Sequence, residues 1–172
     1  IAIVQPSLEV IDLLSEKIKF LDKKVLEMAD KEYPETKLLR QISGVGALTA
    51  LSFLLIIDDP QRFKNSRSVG AYLGLTPKRD QSGDSDKQLR ISKAGNPYLR
   101  RLLVSASRYA LGKFGKDCAL RDRGLRLAQR GGPRAKKKAV IATARKLASI
   151  MHAMLLKNSD YIAETPKAAQ AA

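Results

Sequence analysis

The 172-residue sequence is poor in cysteine, histidine and aromatic residues. Its one cysteine, Cys118, excludes an internal disulfide and a cysteine zinc site. Its one histidine, His152, has no second histidine with which to form a metal-binding pair, so we expect it to be structural. Four Phe, five Tyr and no Trp form no interleaved basic-aromatic platform for stacking unpaired bases. Any nucleic-acid binding is therefore expected to favour duplexes or the backbone.

Long apolar runs are also missing. The longest run, Leu48–Ile57, is interrupted by Thr49 and Ser52 and is far shorter than the roughly 20 residues that cross a bilayer. No secretory leader is recognisable, which favours a cytoplasmic protein without membrane contact. The chain begins with Ile1 and enters a helical pattern at once, so we expect it to be a piece of a longer protein.

Acidic residues are scarce. The chain has 17 Asp and Glu against 32 Lys and Arg, a formal net charge of +15 and an isoelectric point near 10.1. Residues 1–40 carry seven basic and eight acidic residues, whereas residues 41–172 carry 25 and nine. With 44% hydrophobic residues the chain can fold compactly, and its basic part favours nucleic acid as a partner.

Residues 1–34 have the pattern of a coiled-coil helix, which Tyr33-Pro34 ends. Apolar residues alternate at spacings of three and four, with Ser7 as the one interruption: Val4, Ile11, Leu14, Ile18, Leu21, Val25 and Met28. So narrow an apolar stripe needs a partner helix, from a second copy or from the same longer protein. We predict a homo-oligomer formed through residues 4–28.

Residues 35–162 are predicted to form an all-α domain, followed by a flexible tail at 163–172. Two helices joined by the turn Gly44-Val45-Gly46 are predicted to form a helix-hairpin-helix. The turn could bind phosphate through its open backbone N–H groups, or it could be purely structural. Asn65 or Ser66 and the pair Asn96-Pro97 are expected to begin later helices. Segments at 117–129 and from Pro133 onwards carry further helical patterns.

The polar stretch 75–96 lacks a helical period and is predicted to be a long functional loop, with at most a short β-hairpin near Lys87–Ile91. Its aspartates and Asp58-Asp59 are the only carboxylate clusters, and we expect turns and ion pairs there rather than a metal site. Ser82, Ser85 and Ser92 lie among cations, so a hydroxyl could attack a phosphodiester, although a serine here could equally serve a turn.

Several ordered blocks resemble the insertion-sequence one-ten transposases, also called bridge recombinases. The resemblance covers about residues 38–158 and includes Ile42–Gly46, Asp59–Phe63, Ala71–Pro77, Gln81–Gly83, Arg90–Asn96, Leu99–Leu103 and Ala144–Ala148.

The resemblance implies a C-terminal transposase domain in which Ser82 is the nucleophile, with Ser85 as second choice. It also implies a missing N-terminal RuvC-like domain holding Mg²⁺, with no cofactor in this part, a guide (bridge) RNA, and a bacterial or archaeal, nucleoid-associated location. The isolated fragment is then expected to bind DNA without recombining it. The expected DNA contacts are Gly44, Val45, Gly46, Arg79, Lys87, Arg90, Lys93, Arg100, Arg101, Lys136, Lys137 and Lys138.

Two other functions fit parts of the pattern. A non-catalytic dimeric DNA-binding module explains the hairpin, the charge and the coiled coil. An RNA-binding scaffold explains the charge alone. A replaceable Ser82 would favour the first, and a preference for structured RNA over duplex DNA would favour the second.

Overall fold

The computed structural model describes residues 3–82 and 85–163, with seven α-helices and a two-stranded antiparallel sheet in that part of the chain. A 3-10 turn at Pro60–Arg62 lies between the third and fourth helices. In chain order the elements are α1 Gln5–Lys31, α2 Thr36–Leu39, α3 Ala47–Ile57, α4 Ser68–Tyr72, β1 Pro77–Ser82, β2 Ser85–Ile91, α5 Pro97–Leu111, α6 Ala119–Gln129 and α7 Ala135–Lys157. The mostly helical fold predicted from the sequence is confirmed.

Helix α1 projects its apolar residues into solvent. Leu14, Ile18 and Leu21 are 55–59% exposed, and Ala29 is the only buried residue of the helix. The last turn is fixed to the next helix, because Thr36 Oγ1 donates to the carbonyl of Ala29 at 2.8 Å. Asp30 and Arg40 form an ion pair of 2.7 Å at the same place. The predicted boundary between residues 34 and 35 therefore lies within a contact region and stays a prediction.

The core is built from the apolar sides of α3, α5 and α7, with α5 packed against both of the other two helices. Phe53 and Ile57 of α3, Leu103 of α5 and Leu147 and Met151 of α7 are all fully or almost fully buried. Burying such side chains stabilises the fold by roughly 1.5–3 kcal/mol each. The buried side chains of these three helices thus form one continuous core.

The predicted start of α5 is confirmed, whereas α4 and α7 begin one or two residues later than predicted, after N-caps Arg67 and Arg134 that make no side-chain cap hydrogen bond. Asn96 Oδ1 accepts from the N–H groups of Tyr98 and Leu99 at 2.9 and 3.0 Å, and Pro97 occupies the first turn of α5. Asn65 Oδ1 accepts from the N–H of Ser68 at 3.1 Å. Helix α7 begins at Ala135, two residues after the proline at which the pattern predicted it.

The stretch predicted as a loop is largely a β-hairpin. Its strands cover Pro77–Ser82 and Ser85–Ile91, so the hairpin is much longer than the short one expected near Lys87–Ile91. The pairing skips one extra residue of β2 between Gln88 and Ile91, which is a bulge near the hairpin base. Only Leu89 and Ile91 are apolar in the two strands apart from Pro77, so no alternation marks them. The missed signal is Gly83-Asp84, a dipeptide typical of two-residue hairpin turns, which itself lies outside the described residues.

Helix α7 is long and apolar enough to cross a membrane by length and composition alone, with a mean hydropathy of 1.4 over its most apolar window. It is instead the main core helix of this domain. Eight of its residues are buried against the other helices. Lys136, Lys137 and Lys138 in its first turns, with Arg145 and Lys146 farther on, fit a buried core helix with a charged outer side.

Candidate nucleic-acid-binding and catalytic site

The two candidate nucleophiles lie at the same end of the hairpin. The backbone of Ser82, the last residue of β1, pairs with that of Ser85, the first residue of β2. Six residues of strand at about 3.3 Å per residue place this end roughly 17 Å from Pro77. The side chains of Ser82, Ser85, Arg79 and Lys87 lie outside the described part of the structure. The backbone alone thus brings the two serines to adjacent positions.

Arg100 fastens both ends of the hairpin to the domain. Its Nη1 donates to the carbonyl of Leu73, before β1, at 3.0 Å, and to that of Ala94, after β2, at 2.8 Å. The backbone N–H of Lys93 donates to the carbonyl of Gly74 at 3.1 Å, which closes the base. One guanidinium on α5 therefore sets the position from which the hairpin projects. Arg100 was predicted as a DNA contact. The structure gives it this anchoring role, and the DNA contact stays a prediction.

The turn between β2 and α5 requires glycine at position 95. Gly95 has φ +71°, and a Cβ there would lie 2.0 Å from the carbonyl oxygen of Tyr72. Lys93 also has a positive φ of 58°, although it is not glycine. Such a conformation costs of order 1–3 kcal/mol and persists where the surroundings enforce it. Lys93 and Arg90 are both exposed at this base, a few residues before Arg100 in the sequence.

The Gly44–Gly46 turn packs on α5 through Gly44, whereas its last residue, Gly46, has open space beside it. A Cβ on Gly44, whose φ is +90°, would lie 2.9 Å from the carbonyl oxygen of Ala106. Val45 is 5% exposed and belongs to the core, so its side chain serves packing. Gly46 is the N-cap of α3, and a Cβ there would have no atom within 4 Å. It borders a pocket of about 460 Å³ with Thr49 and Tyr109. The first helix of this helix-hairpin-helix is a single turn, α2.

Helix α5 connects the turn to the hairpin base. Its N-terminal end holds Arg100, and its middle carries Ala106 against Gly44. Arg101, Ser105 and Arg108 are all exposed at helical spacing on this element, and the Arg101 guanidinium lies 6.0 Å from the ring of Tyr98. The helix that anchors the hairpin and supports the glycine turn thus also presents two cations to solvent.

The three lysines of α7 occupy an unfavourable place for a cation. Lys136, Lys137 and Lys138 are exposed in the first turn and a half of the helix, where the macrodipole is positive. Cations there destabilise a helix by roughly 0.3–1 kcal/mol each. None of them lines the pocket at Gly46. A bound polyanion would relieve this repulsion.

Arg62 is an ordered cation that reasoning from the sequence did not single out as a site residue. Its guanidinium lies 4.8 Å from the ring centroids of both Phe63 and Tyr72, and it donates to the carbonyl of Ile56 at 3.3 Å. Tyr72 is adjacent to the segment that leads into β1. The only prior signal was the position of Arg62 inside one of the resemblance blocks.

His152 has the structural role expected of it. It is fully buried, with Nε2 2.8 Å from the carbonyl of Pro60 and Nδ1 3.0 Å from Oγ of Ser66. Because a carbonyl can only accept, Nε2 carries the hydrogen and Nδ1 accepts from Ser66 in the neutral ring. The ring also meets Phe63 edge-on at 5.3 Å. His152 therefore ties α7 to the 3-10 turn rather than to any open cleft.

The residues of this site match a known family. Residues 36–121 match the model of the Transposase IS116/IS110/IS902 family. The chain belongs to that family. The matched region runs from α2 to the start of α6, so it includes the glycine turn, the hairpin and Arg100. The resemblance noted from the sequence is confirmed.

Curated relatives support the same assignment. The chain is 34% identical over 137 residues to the transposase for insertion sequence element IS1111A of Coxiella burnetii, covering 79% of this chain and 37% of that protein. It is 33% identical over 125 residues to the pilin gene-inverting protein of Moraxella lacunata, covering 72% of this chain and 38% of that protein. A probable family 20 transposase of Pseudomonas aeruginosa is 31% identical over 124 residues, covering 72% and 36%. The chain thus spans less than two fifths of each relative's length.

Proposed function

We propose that this chain is the DNA-handling, C-terminal part of a DNA transposase or site-specific recombinase and that Ser82 is its nucleophile. The observation that carries the proposal is the hairpin, which brings Ser82 and Ser85 to one end while Arg100 holds its base. A nucleophile on a strand is held more reproducibly than one on a long loop. Ser85 is the second candidate because it pairs with Ser82.

The proposed chemistry conserves phosphate ester bonds. The Ser82 hydroxyl attacks the phosphorus of a DNA phosphodiester, so that a serine–phosphate ester forms while the bond from phosphorus to a deoxyribose oxygen breaks. The serine proton leaves to a general base, and the departing deoxyribose oxygen gains a proton. A hydroxyl of another strand then attacks the serine ester and reverses both changes. Nearby cations would stabilise the charge that develops on the phosphate.

DNA binding is supported by the charge and its distribution. Arg90, Lys93 and Arg101 are exposed near the hairpin base, and Lys136–Lys138 are exposed at the start of α7. Among the side chains that the structure describes, only Arg40 with Asp30 and Arg121 with Asp117 form ion pairs, so none of these exposed cations is paired with a carboxylate there. The free N–H groups that begin α3 after Gly46 suit a phosphate. Lysine and arginine contacts to phosphate supply most non-specific DNA affinity.

The whole protein is proposed to contain more than this chain. A RuvC-like N-terminal domain would supply Mg²⁺, a guide RNA would choose the target, and residues 4–28 would join subunits through the exposed stripe of α1. In the described part of this chain no group of three or more His, Cys, Asp or Glu lies close enough to hold a metal ion, and the side chains of Asp80, Asp84 and Asp86 lie outside that part. The expected location is the cytoplasm, in contact with the nucleoid.

The test restores the N-terminal half and measures covalent protein–DNA adducts on a suicide substrate with Mg²⁺ and guide RNA. Ser82→Ala should abolish the adduct while DNA binding persists, and Ser85→Ala is the matched control at the paired position. If the adduct instead disappears in Ser85→Ala, the second candidate is the nucleophile. If it forms in the double variant, the chain contributes no nucleophile and the DNA-binding module without catalysis is the better description.

A further inference from the structure

A second basic surface lies on helices α6 and α7, which pack against each other. Helices α6 and α7, with the segment that follows α7, enclose a groove of about 470 Å³. It shares no lining residue with the pocket at Gly46. Four cations border it, Arg123, Arg126, Lys146 and Lys157, against the single carboxylate of Asp160. Neither the hairpin nor the glycine turn makes use of any of them.

These four cations are available for a ligand. All four are exposed, and none of them forms an ion pair with any side chain in the described part of the chain. Lys146 and Lys157 are eleven residues apart on α7, about 16 Å along the helix. Cations at both ends of a groove of this length fit a linear polyanion rather than a single small anion.

The interior of the groove differs from its rim. Leu120, Ile150, Ala153 and Met154 form an apolar floor, and the half-buried Tyr161 closes one side. Ligand pockets in proteins range from about 300 to 1,000 Å³, so this groove can enclose one or two small groups but not a duplex. The floor is aliphatic, so it would pack against sugar and base faces without the aromatic platform that the sequence lacks, and the basic rim suits the phosphates that join them.

The segment after α7 is held in place, which keeps the groove open. Gln41 Oε1 accepts from the backbone N–H of Tyr161 at 2.7 Å, and Gln41 Nε2 donates to Asp160 Oδ1 at 2.7 Å. Gln41 belongs to the chain just before the glycine turn. The wall of the groove is therefore fixed to the part of the domain that contacts α3 and α5.

We propose that this groove binds an unpaired DNA strand, with its phosphates on the four cations and sugar and base groups against the apolar floor. The proposal rests on the proposed DNA-handling function, in which strand cleavage and rejoining pass through unpaired ends. We assign DNA rather than RNA to the groove because the proposed function acts on DNA strands. The groove and the hairpin then hold different parts of the same substrate.

The experiment measures binding of this chain to a labelled oligodeoxynucleotide by fluorescence anisotropy over a range of salt concentrations. The test variant changes Arg123, Arg126, Lys146 and Lys157 to Gln. The matched control changes four exposed cations of α1 to Gln, Lys17, Lys19, Lys23 and Lys24, and so removes the same charge. Each phosphate contact contributes about 0.7 to the slope of log K against log salt for a single strand. We expect the groove variant to lower that slope by about 2 to 3 and the control to change it by much less.

A second variant keeps the result interpretable. Ala153→Glu places a carboxylate on the groove floor at a half-buried position of α7 and should weaken binding of the unpaired strand, whereas Ala153→Gln, of similar size and uncharged, should weaken it less. Photo-crosslinking with thiothymidine should join the strand to the peptide that contains Ile150–Tyr161. Crosslinks confined to other peptides would overturn the proposal even if the four-cation variant misfolded.

Three results would contradict the groove assignment. Equal weakening of duplex and unpaired DNA would make the groove part of a general backbone-binding surface. Equal or tighter binding of the same sequence as RNA would assign it to RNA, and binding of an acidic peptide with no effect on DNA would assign it to a protein partner. None of these affects the Ser82 adduct assay, so failure of the groove and failure of the proposed recombinase function are distinguishable.

Discussion

Helices α1 and α7 are the two long helices of the described part of this protein, with 27 and 23 residues, and they differ in whether their apolar sides are buried. Helix α7 buries eight residues and packs against α4, α5 and α6, whereas α1 buries only Ala29. Both carry apolar residues at helical spacing, so periodicity does not separate them. The difference is whether the partner surface is present in this chain. Exposed apolar stripes of this length are typical of association surfaces, and self-association through α1 stays a prediction.

The sharpest test of this comparison is a matched pair of truncations. Leu147→Ala on α7 should lower the free energy of unfolding by about 2–5 kcal/mol, because it removes a buried side chain and leaves a cavity. Leu14→Ala on α1 should change it by less than about 0.5 kcal/mol at concentrations where the chain is monomeric, since the side chain is already exposed. Urea denaturation measures both. Equal losses would mean that the stripe of α1 packs on the domain.

Replacing the buried His152 of α7 should lower the free energy of unfolding less than truncating an apolar core side chain of that helix. It should lower it more than a substitution at an exposed residue of α1. His152→Leu leaves the carbonyl of Pro60 and the hydroxyl of Ser66 without their partner, which should cost about 1–3 kcal/mol. Ser66→Ala removes only one of these contacts and is the graded control, with a smaller loss expected. Thermal unfolding followed by circular dichroism gives both values, and a neutral His152→Leu would contradict the structural role.

The exposed stripe of α1 should govern self-association and not folding. Ile18→Lys should weaken self-association at least about tenfold, a change of about 1.4 kcal/mol, because it places a charge in the centre of the apolar seam. Glu16→Lys, off the seam on the same helix, is the matched control. Sedimentation equilibrium reports the association constant. If neither variant changes it, the stripe does not pair with a second copy of this chain.

The smallest effect concerns the end of α7 and is visible only at high pH. Burial raises the pKa of Tyr161 from 10.0 to about 12, and the charge of Cys118 and a hydrogen bond with it add to the shift. The fold therefore favours the neutral phenol, so this stabilisation is complete below pH 10 and is lost as pH rises towards 12. The part of a spectrophotometric titration that belongs to Tyr161 should lie near pH 12 and be lost in Tyr161→Phe. A titration curve that Tyr161→Phe leaves unchanged near pH 12 would contradict it.

Local features of the fold were predictable because they depend on neighbouring residues. Asn96-Pro97 begins α5, Pro34 follows the end of α1, and Asn65 caps the turn before α4, all as single residues with direct backbone chemistry. The hairpin was underestimated because its pairing involves residues up to 14 positions apart with almost no apolar alternation. Its turn dipeptide was the one local signal that could have indicated it.

The candidate site also has a part that was predictable from the sequence and a part that was not. The resemblance blocks identified the family and pointed to Ser82, and the charge of residues 41–172 indicated nucleic acid. The clamp formed by Arg100 on Leu73 and Ala94 was not predictable, because it joins residues separated by 27 and 6 positions through a single guanidinium. The four-cation groove was missed for the same reason, since α6 and α7 bring together charges that are dispersed along the chain.

By itself the sequence determined the helical character of the chain, its strongly basic second part, the family and the candidate serines, because composition, capping and ordered motifs are properties of adjacent residues. Tertiary structure decided which helix faces are covered, where the hairpin is anchored and which cations share a groove. Those outcomes depend on packing between distant segments, and packing selects one of several partners that an amphipathic stripe or a lysine would accept equally well.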